Sequence, residues 1–475
     1  MNDIAQLDAA TTLQMYRTGQ LSPTEVITAL IDHVEHHEPL INAVADRRYE
    51  EAVAEAEAST QRYASGTARP LEGLAVAAKE EHPMRGRLWQ QGSQTLRNEI
   101  ADVDHPIIER IQDAGGIIHI RTTTPEFCCA GFCHSSLWGI TRNPWNTQFS
   151  PGGSSGGTGA ALAAGYAPLG TGSDIGGSIR IPASFSGVVG YKAPFGTVPA
   201  LPPYNLDQFC HDGAMARTVA DTALLHNVIA GTHRVDQVAR RDPPVIPTVA
   251  QSPVGLRVAL CVRLGDWPLD PAVERNTRAA ADALAATGAV VEEVTLPWSI
   301  VDIWRAARAH FQTIMGSGIA AIARRHRDVL NDYTLAFADT MTSELDFYKG
   351  LELEGALWQP LGELFERFDA LLCPTMAIDG FRAGNPYLSE EIVVGDGTVD
   401  QHIKAAMTLP FNLFSRCPVI SVPSGKAANG VPTGVQVVGR THDDITAFRV
   451  AAALETALTP AGIGWQSPAW RPEFS

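Results

Sequence analysis

Positive charge is the first scarcity. Lys and Arg total 36 against 52 Asp and Glu, the net charge is −16, and no basic run occurs. That balance argues against a nucleic-acid surface. Long apolar runs are missing as well: no stretch approaches the ~18 apolar residues of a membrane helix, so no span is expected. The opening Met1-Asn2-Asp3-Ile4 lacks the basic region and apolar core of a secretory signal. Cysteines number seven, an odd count without a secretory context, which points to a reducing, cytoplasmic compartment. What is present is 45% hydrophobic residues over 475 positions, enough for a substantial core. Length alone admits two or three domains, although single large α/β cores reach this size.

Small residues concentrate in one stretch, Asn143 to Lys192. It holds two glycine-serine turns, Gly152-Gly153-Ser154-Ser155-Gly156-Gly157 and Gly176-Gly177-Ser178, the second followed by Ile179-Arg180-Ile181-Pro182. Glycine clusters permit φ > 0 and leave amides uncovered, so such turns can aim N–H groups at negative charge. Either turn alone reads as small-residue packing; two at this spacing favour chemistry. A phosphate cradle needs Gly-Lys-Ser/Thr opening a helix, and no lysine falls between Asn143 and Tyr191. A nucleophile elbow is matched formally by Gly152 to Gly156, with Ser154 central and His226 or His442 downstream. That elbow must follow a buried strand, and Asn143 to Pro151 has neither alternation nor an apolar run.

The chain resembles the amidase signature family. The matching motifs are Asn143-Pro144-Trp145-Asn146, Pro151 to Gly157, and Gly172-Ser173-Asp174-Ile175-Gly176-Gly177-Ser178-Ile179-Arg180. Upstream, Leu74 to Glu80 resembles the family's lysine strand; downstream, Met215 to Asp221 resembles another family block. Lys79 lies 75 residues before Ser154, and Ser154 lies 24 before Ser178, spacings that also fit. The resemblance covers about 70–231 and 370–440 and is weaker elsewhere.

The resemblance implies an α/β fold with a large mixed sheet covered by helices on both faces. It implies that Ser178 attacks an amide carbonyl while Ser154, preceded by a cis peptide from Gly153, relays the proton to Lys79. Physically this is a weak hydroxyl activated by a neighbouring base. The base must be neutral, and the apolar Leu74 to Ala78 suggests burial that lowers the lysine pKa. Glu80 and Glu81 oppose this if they point inward, but strand alternation puts Glu80 on the face opposite Lys79. Amides of Ile175, Gly176, Gly177 and Ser178 are the implied oxyanion hole, one such donor being worth about 3 kcal/mol. Asp174 and Arg180 are expected to pair and brace this turn. Cys128, Cys129 and Gly153 are the expected substrate-binding residues.

Residues 1–65 read as a helical segment packing on the core, with Ser22-Pro23-Thr24-Glu25 a capping box opening a helix through about His36. Residues 66–475 read as one domain, with a helix-rich region at about 301–368 that shapes the substrate site; Phe311, Phe337, Phe347, Tyr348 and Trp358 are its aromatic candidates. A strand, helix and strand are expected at Val254 to Leu260, Ala272 to Thr287 and Val290 to Leu296. Further strands are expected at Ala370 to Thr375, Pro418 to Pro423 and Gly434 to Gly439. Cys128, Cys129, Cys133 and His134 raise metal binding, but zinc sites favour two separated halves and no second half exists, so no metal is expected. Departures from the family pattern are Ala75 for proline, Glu80 for aspartate, Ser173 for threonine and Ala214 for proline. None removes a reacting atom. The expected function is cofactor-free hydrolysis of a small-molecule amide or carbamate (urethanase activity) by a monomer or homodimer. The alternative is the glutaminase subunit of a tRNA-dependent amidotransferase.

Overall fold

The computed structural model describes residues 4–340, 344–388 and 391–474. An eleven-stranded mixed sheet runs through it. Its order across the molecule is Val44–Arg47, Ile117–Thr122, Ala75–Lys79, Leu169–Asp174, His211–Ala216, Val189–Lys192, Val419–Lys426, Pro432–Gly439, Ala370–Pro374, Arg257–Leu260 and Val290–Glu293. Ala75–Lys79 is parallel to both neighbours, and Arg257–Leu260 is parallel to both of its own; the pairings between these two groups are antiparallel. Every residue of Ala75–Lys79, Ile117–Thr122 and Leu169–Asp174 is buried, so helices cover both faces of this half.

Small residues make that covering close. The helix Gly156–Ala163 is buried along its whole length. It lies so near the strand Leu169–Asp174 that a Cβ on Gly170 would meet Thr158 Cγ2 at 2.5 Å, and one on Gly172 would meet Ser155 Oγ at 2.7 Å. The two glycine-serine turns sit at the ends of this strand–helix pair.

The leading segment is not wholly helical, which corrects the expectation for residues 1–65. Its helices Ala9–Thr18, Pro23–Ile41 and Tyr49–Ser65 flank an edge strand, Val44–Arg47, that pairs antiparallel with Ile117–Thr122. The capping box forms as expected, Ser22 accepting from the Glu25 amide while Glu25 accepts from Ser22, and the helix runs five residues past His36 to Ile41. The segment is pinned by Asp221, whose carboxylate accepts the amides of Ala9 and Ala10 at 2.9 and 3.1 Å. The strand–helix–strand unit forms at Arg257–Leu260, Pro271–Ala286 and Val290–Glu293. The 301–368 region holds four helices, Ile300–Phe311, Met315–His326, Asp332–Thr340 and Phe347–Arg367. Among the described residues no helix is long and apolar enough to cross a membrane.

Candidate active site

Lys79 ends its strand fully buried. Its Nζ donates to Ser154 Oγ at 2.8 Å and to Ser173 Oγ at 2.7 Å, and lies 2.8 Å from Glu81 Oε2. Ser173 in turn donates to the same Glu81 oxygen at 2.5 Å. The expected lowering of the lysine pKa is therefore overturned. Burial does disfavour the ammonium, but Cys128 as thiolate and Glu81 as carboxylate outweigh it and hold Lys79 above its ordinary value. Burial pushes the Cys128 thiol itself up to about 12, so near neutrality the operative charge is Glu81. Glu80 makes its bonds away from Nζ, accepting the amides of Gln90 and Gln91.

Ser154 follows a cis peptide from Gly153. Gly153 cannot carry a side chain, because a Cβ would lie 2.3 Å from Phe132 O. Gly153, expected to bind substrate, is not among the described residues lining the cavity at Ser178. Ser155 stitches the two turns together: its amide donates to Ser178 O at 3.1 Å and its hydroxyl bonds both backbone groups of Ser173.

The second turn is built on Asp174. Its carboxylate accepts from the Gly177 amide at 2.7 Å, the Ile179 amide at 3.2 Å, Arg180 Nε and Nη2 at 2.9 Å each, and Asn412 Nδ2 at 2.9 Å. Burial would raise its pKa, but Arg180 and Asn412 hold the carboxyl well below the usual aspartate range. Arg180 also donates to Thr408 O, Gln436 Oε1 and Asn412 Oδ1. Gly177 adopts φ +125°, and a Cβ there would meet Thr408 Oγ1 at 2.0 Å. Its amide, expected in the oxyanion hole, is thus committed to Asp174. The amides of Ile175, Gly176 and Ser178 have no acceptor among the described residues, and neither does the Ser178 hydroxyl.

Ser178 opens on a cavity of about 890 Å³, counted to its mouth. Ile175, Gly176, Cys128 and Cys129 line it with Ser178; Trp304, Phe311, Met315 and Phe337 enclose it. No Asp, Glu, Lys or Arg lines it among the described residues. Of the aromatic candidates, Phe311 and Phe337 reach the cavity, Phe347 and Tyr348 are exposed, and Trp358 lines a separate cleft. Tyr333, which the sequence did not single out, also lines it and clamps its wall, accepting the Glu126 amide at 2.8 Å and donating to His134 O at 2.7 Å.

The cysteine cluster does not converge: Cys128 turns to Thr124, Cys129 to Glu126 O and Cys133 to Thr123. Among the described residues a different group, His82, His105 and Asp212, brings three metal-type ligands together. It closes on itself instead. Ile107 N–H donates to His105 Nδ1, which places the ring proton on Nε2, facing Asp212 Oδ2 at 3.3 Å. His82 Nε2 meets the other oxygen at 3.0 Å, and its Nδ1 meets Thr171 Oγ1.

The amidase family model matches residues 25–447. An acylamidase of Rhodococcus erythropolis is 30% identical over 450 residues, covering 92% of each chain. A glutamyl-tRNA(Gln) amidotransferase subunit of Synechococcus sp. (strain CC9605) is 32% identical over 477 residues, covering 94% of this chain and 95% of its own. A solved bacterial aryl acylamidase of the amidase signature enzymes superposes with a TM-score of 0.90 at 28% identity, over 98% of this chain and 99% of its own.

Proposed function

The chain belongs to the amidase signature family, and from that premise we propose that it hydrolyses amides bearing an apolar acyl or aryl group, through an acyl-enzyme on Ser178. The observation that carries this reading is that no Asp, Glu, Lys or Arg is among the described residues lining the cavity at Ser178. Free glutamine brings an α-ammonium and an α-carboxylate, and burying either without a counter-charge is costly. Nothing charged among the described lining residues would receive them. The cavity suits aliphatic or aromatic groups, which is also what the likeness to acylamidases supports.

In the proposed mechanism the Ser178 hydroxyl attacks the carbonyl as its proton passes to Ser154 Oγ and from there to Lys79 Nζ, already within 2.8 Å of Ser154. The oxyanion takes its hydrogen bonds from the amides of Ile175, Gly176 and Ser178, and removing one such donor typically costs about 3 kcal/mol of barrier. Lys79 returns the proton through Ser154 to the departing amine. Water then repeats the sequence on the ester. A carbamate presents the same tetrahedral chemistry, so aryl carbamates belong among the substrates to be tried.

The test is a hydrolysis panel on the isolated chain: anilides of short and medium acyl chains, aryl carbamates and L-glutamine. Anilide turnover with glutamine inert is the expected result. Glutamine hydrolysis exceeding that of every anilide would favour the amidotransferase reading and sink the proposal.

A further inference from the structure

Resting on the reading of Lys79 as the relay base, we infer that Glu81 is a positioning residue acting through Lys79: it sets the pH at which the amine becomes free and carries its proton to water. Among the described residues Lys79 Nζ has three oxygen partners, Ser154 Oγ, Ser173 Oγ and Glu81 Oε2, all within 2.8 Å, with the Cys128 thiol beside them. An ammonium has three N–H donors and no lone pair, and three oxygens surround this one, so the resting lysine donates to Ser154 and cannot accept from it. To become a base it must first lose a proton.

Of the three oxygen partners, Glu81 is the most exposed. Lys79 is 0% exposed, Ser154 1% and Ser173 6%, whereas a quarter of the Glu81 side chain is exposed. Glu81 is not among the described residues lining the substrate cavity. Transfer breaks an N–H bond of Lys79 and forms an O–H bond on Glu81, either directly or with the Ser173 hydroxyl passing one proton on as it receives another. The pair goes from plus and minus to neutral and neutral, a change that adds no charge to the buried site. Glu81 then releases the proton to water and regains its charge.

Other groups face this pair. Cys128 and Cys133 lie near Lys79, from the loop that borders the cavity. His82, His105 and Asp212 face Glu81, as do Tyr204 and Cys210 from the loop before His211–Ala216. Asp212 is engaged by the two histidines, and burial raises the Cys128, Tyr204 and Cys210 groups, which leaves Glu81 as the charge directly on Nζ.

The experiment is the pH profile of kcat/KM on one anilide for the wild type, Glu81→Gln and Glu81→Asp, with melting temperature as the folding control. The wild type should climb with slope one well into the alkaline range. Glu81→Gln should move that limb to lower pH by at least one unit, because removing the negative charge favours the free amine. Its plateau should be lower, the amine being a weaker base. Glu81→Asp, which keeps the charge, should return the limb toward the wild-type position. A Glu81→Gln limb within a few tenths of a unit of the wild type, in a folded protein, overturns the inference and leaves the Lys79 reading standing. An identical limb in the residual activity of Lys79→Ala would remove Lys79 as the base, and this inference with it.

Discussion

Breaking the Asp174–Arg180 pair should unfold the site from beneath Ser178, and a double-mutant cycle measures this directly. Both side chains are fully buried, with two N–O contacts of 2.9 Å. At an effective dielectric of about 20, unit charges at that separation attract by about 6 kcal/mol. Desolvation of the two ions offsets much of that attraction, so the pair as a whole contributes little, whereas one ion stranded without the other costs about 3–5 kcal/mol. Arg180→Gln and Asp174→Asn should therefore each lower stability by about that amount in guanidinium unfolding at pH 7, and the double variant should cost clearly less than their sum. Acid should add a second signature. The Asp174 pKa is lowered in the fold, so its contribution is complete above the unfolded value of about 3.9 and is lost on acidification toward the folded value. Asp174→Asn should remove that loss. Single-variant costs that simply add in the double variant would refute the claim that the two charges are coupled, and with it the claim that the pair braces the turn.

A fluorophosphonate probe should label Ser178 in the wild type and nothing at the site in a folded Ser178→Ala; labelling that moves to Ser154 would revive the elbow reading. Gly177→Ala should fold poorly and lose nearly all activity, since its Cβ would overlap Thr408 and its φ is +125°; near-normal turnover would show that the turn is plastic. Buried Glu455, which accepts the Val219 amide, is pushed up to about 8 chiefly by burial. The unfolded chain releases that proton near pH 4.5 and the fold holds it to about 8, so stability should fall as pH rises between them, by up to ~1.4 kcal/mol per unit. Glu455→Gln should flatten the decline in urea midpoints measured from pH 5 to 8; an unchanged slope would acquit Glu455. Overnight dialysis against a chelator should leave anilide turnover and melting temperature unchanged, and loss of a stoichiometric metal together with activity would contradict the hydrogen-bonded reading of His82, His105 and Asp212.

How far the sequence could be read depended on how local each signal was. Turn motifs, the lysine strand and the capping box are written in consecutive residues, and their elements form where expected. Val44–Arg47 escaped notice because four residues between two helices carry too little alternation, and only pairing with Ile117–Thr122 makes them a strand. Glu81 was in view as a charge that would oppose a neutral lysine if it pointed inward, but alternation argues only inside a strand and could not say which way it pointed. Ala75–Lys79 ends at the lysine, the chain turns as the His82 amide returns to Lys79 O, and position 81 comes back beside Nζ. Thr408, Asn412 and Gln436 lie more than 200 residues beyond Arg180, so their part in holding it was invisible before folding.

That distance also explains how reaction and specificity can be built separately in one domain. The groups proposed for the reaction hang on sheet strands and on turns in which Gly153, Gly157 and Gly177 cannot take a Cβ, and Asp174, Arg180, Asn412 and Gln436 lock them through charge-assisted hydrogen bonds. The cavity wall is made differently. Trp304, Phe311, Met315, Tyr333 and Phe337 come from three helices of the 301–368 region, and Tyr333 ties that wall to the loop carrying Cys128 by two hydrogen bonds. Changing the size of a wall residue alters apolar contact with the acyl group and leaves every bond to Asp174 intact. Shrinking Phe337 to Ala should therefore move the acyl-length preference of kcat/KM toward longer chains without shifting its pH limb. A limb that moved with Phe337 would mean that wall and relay are coupled, and that the separation argued from these contacts is wrong.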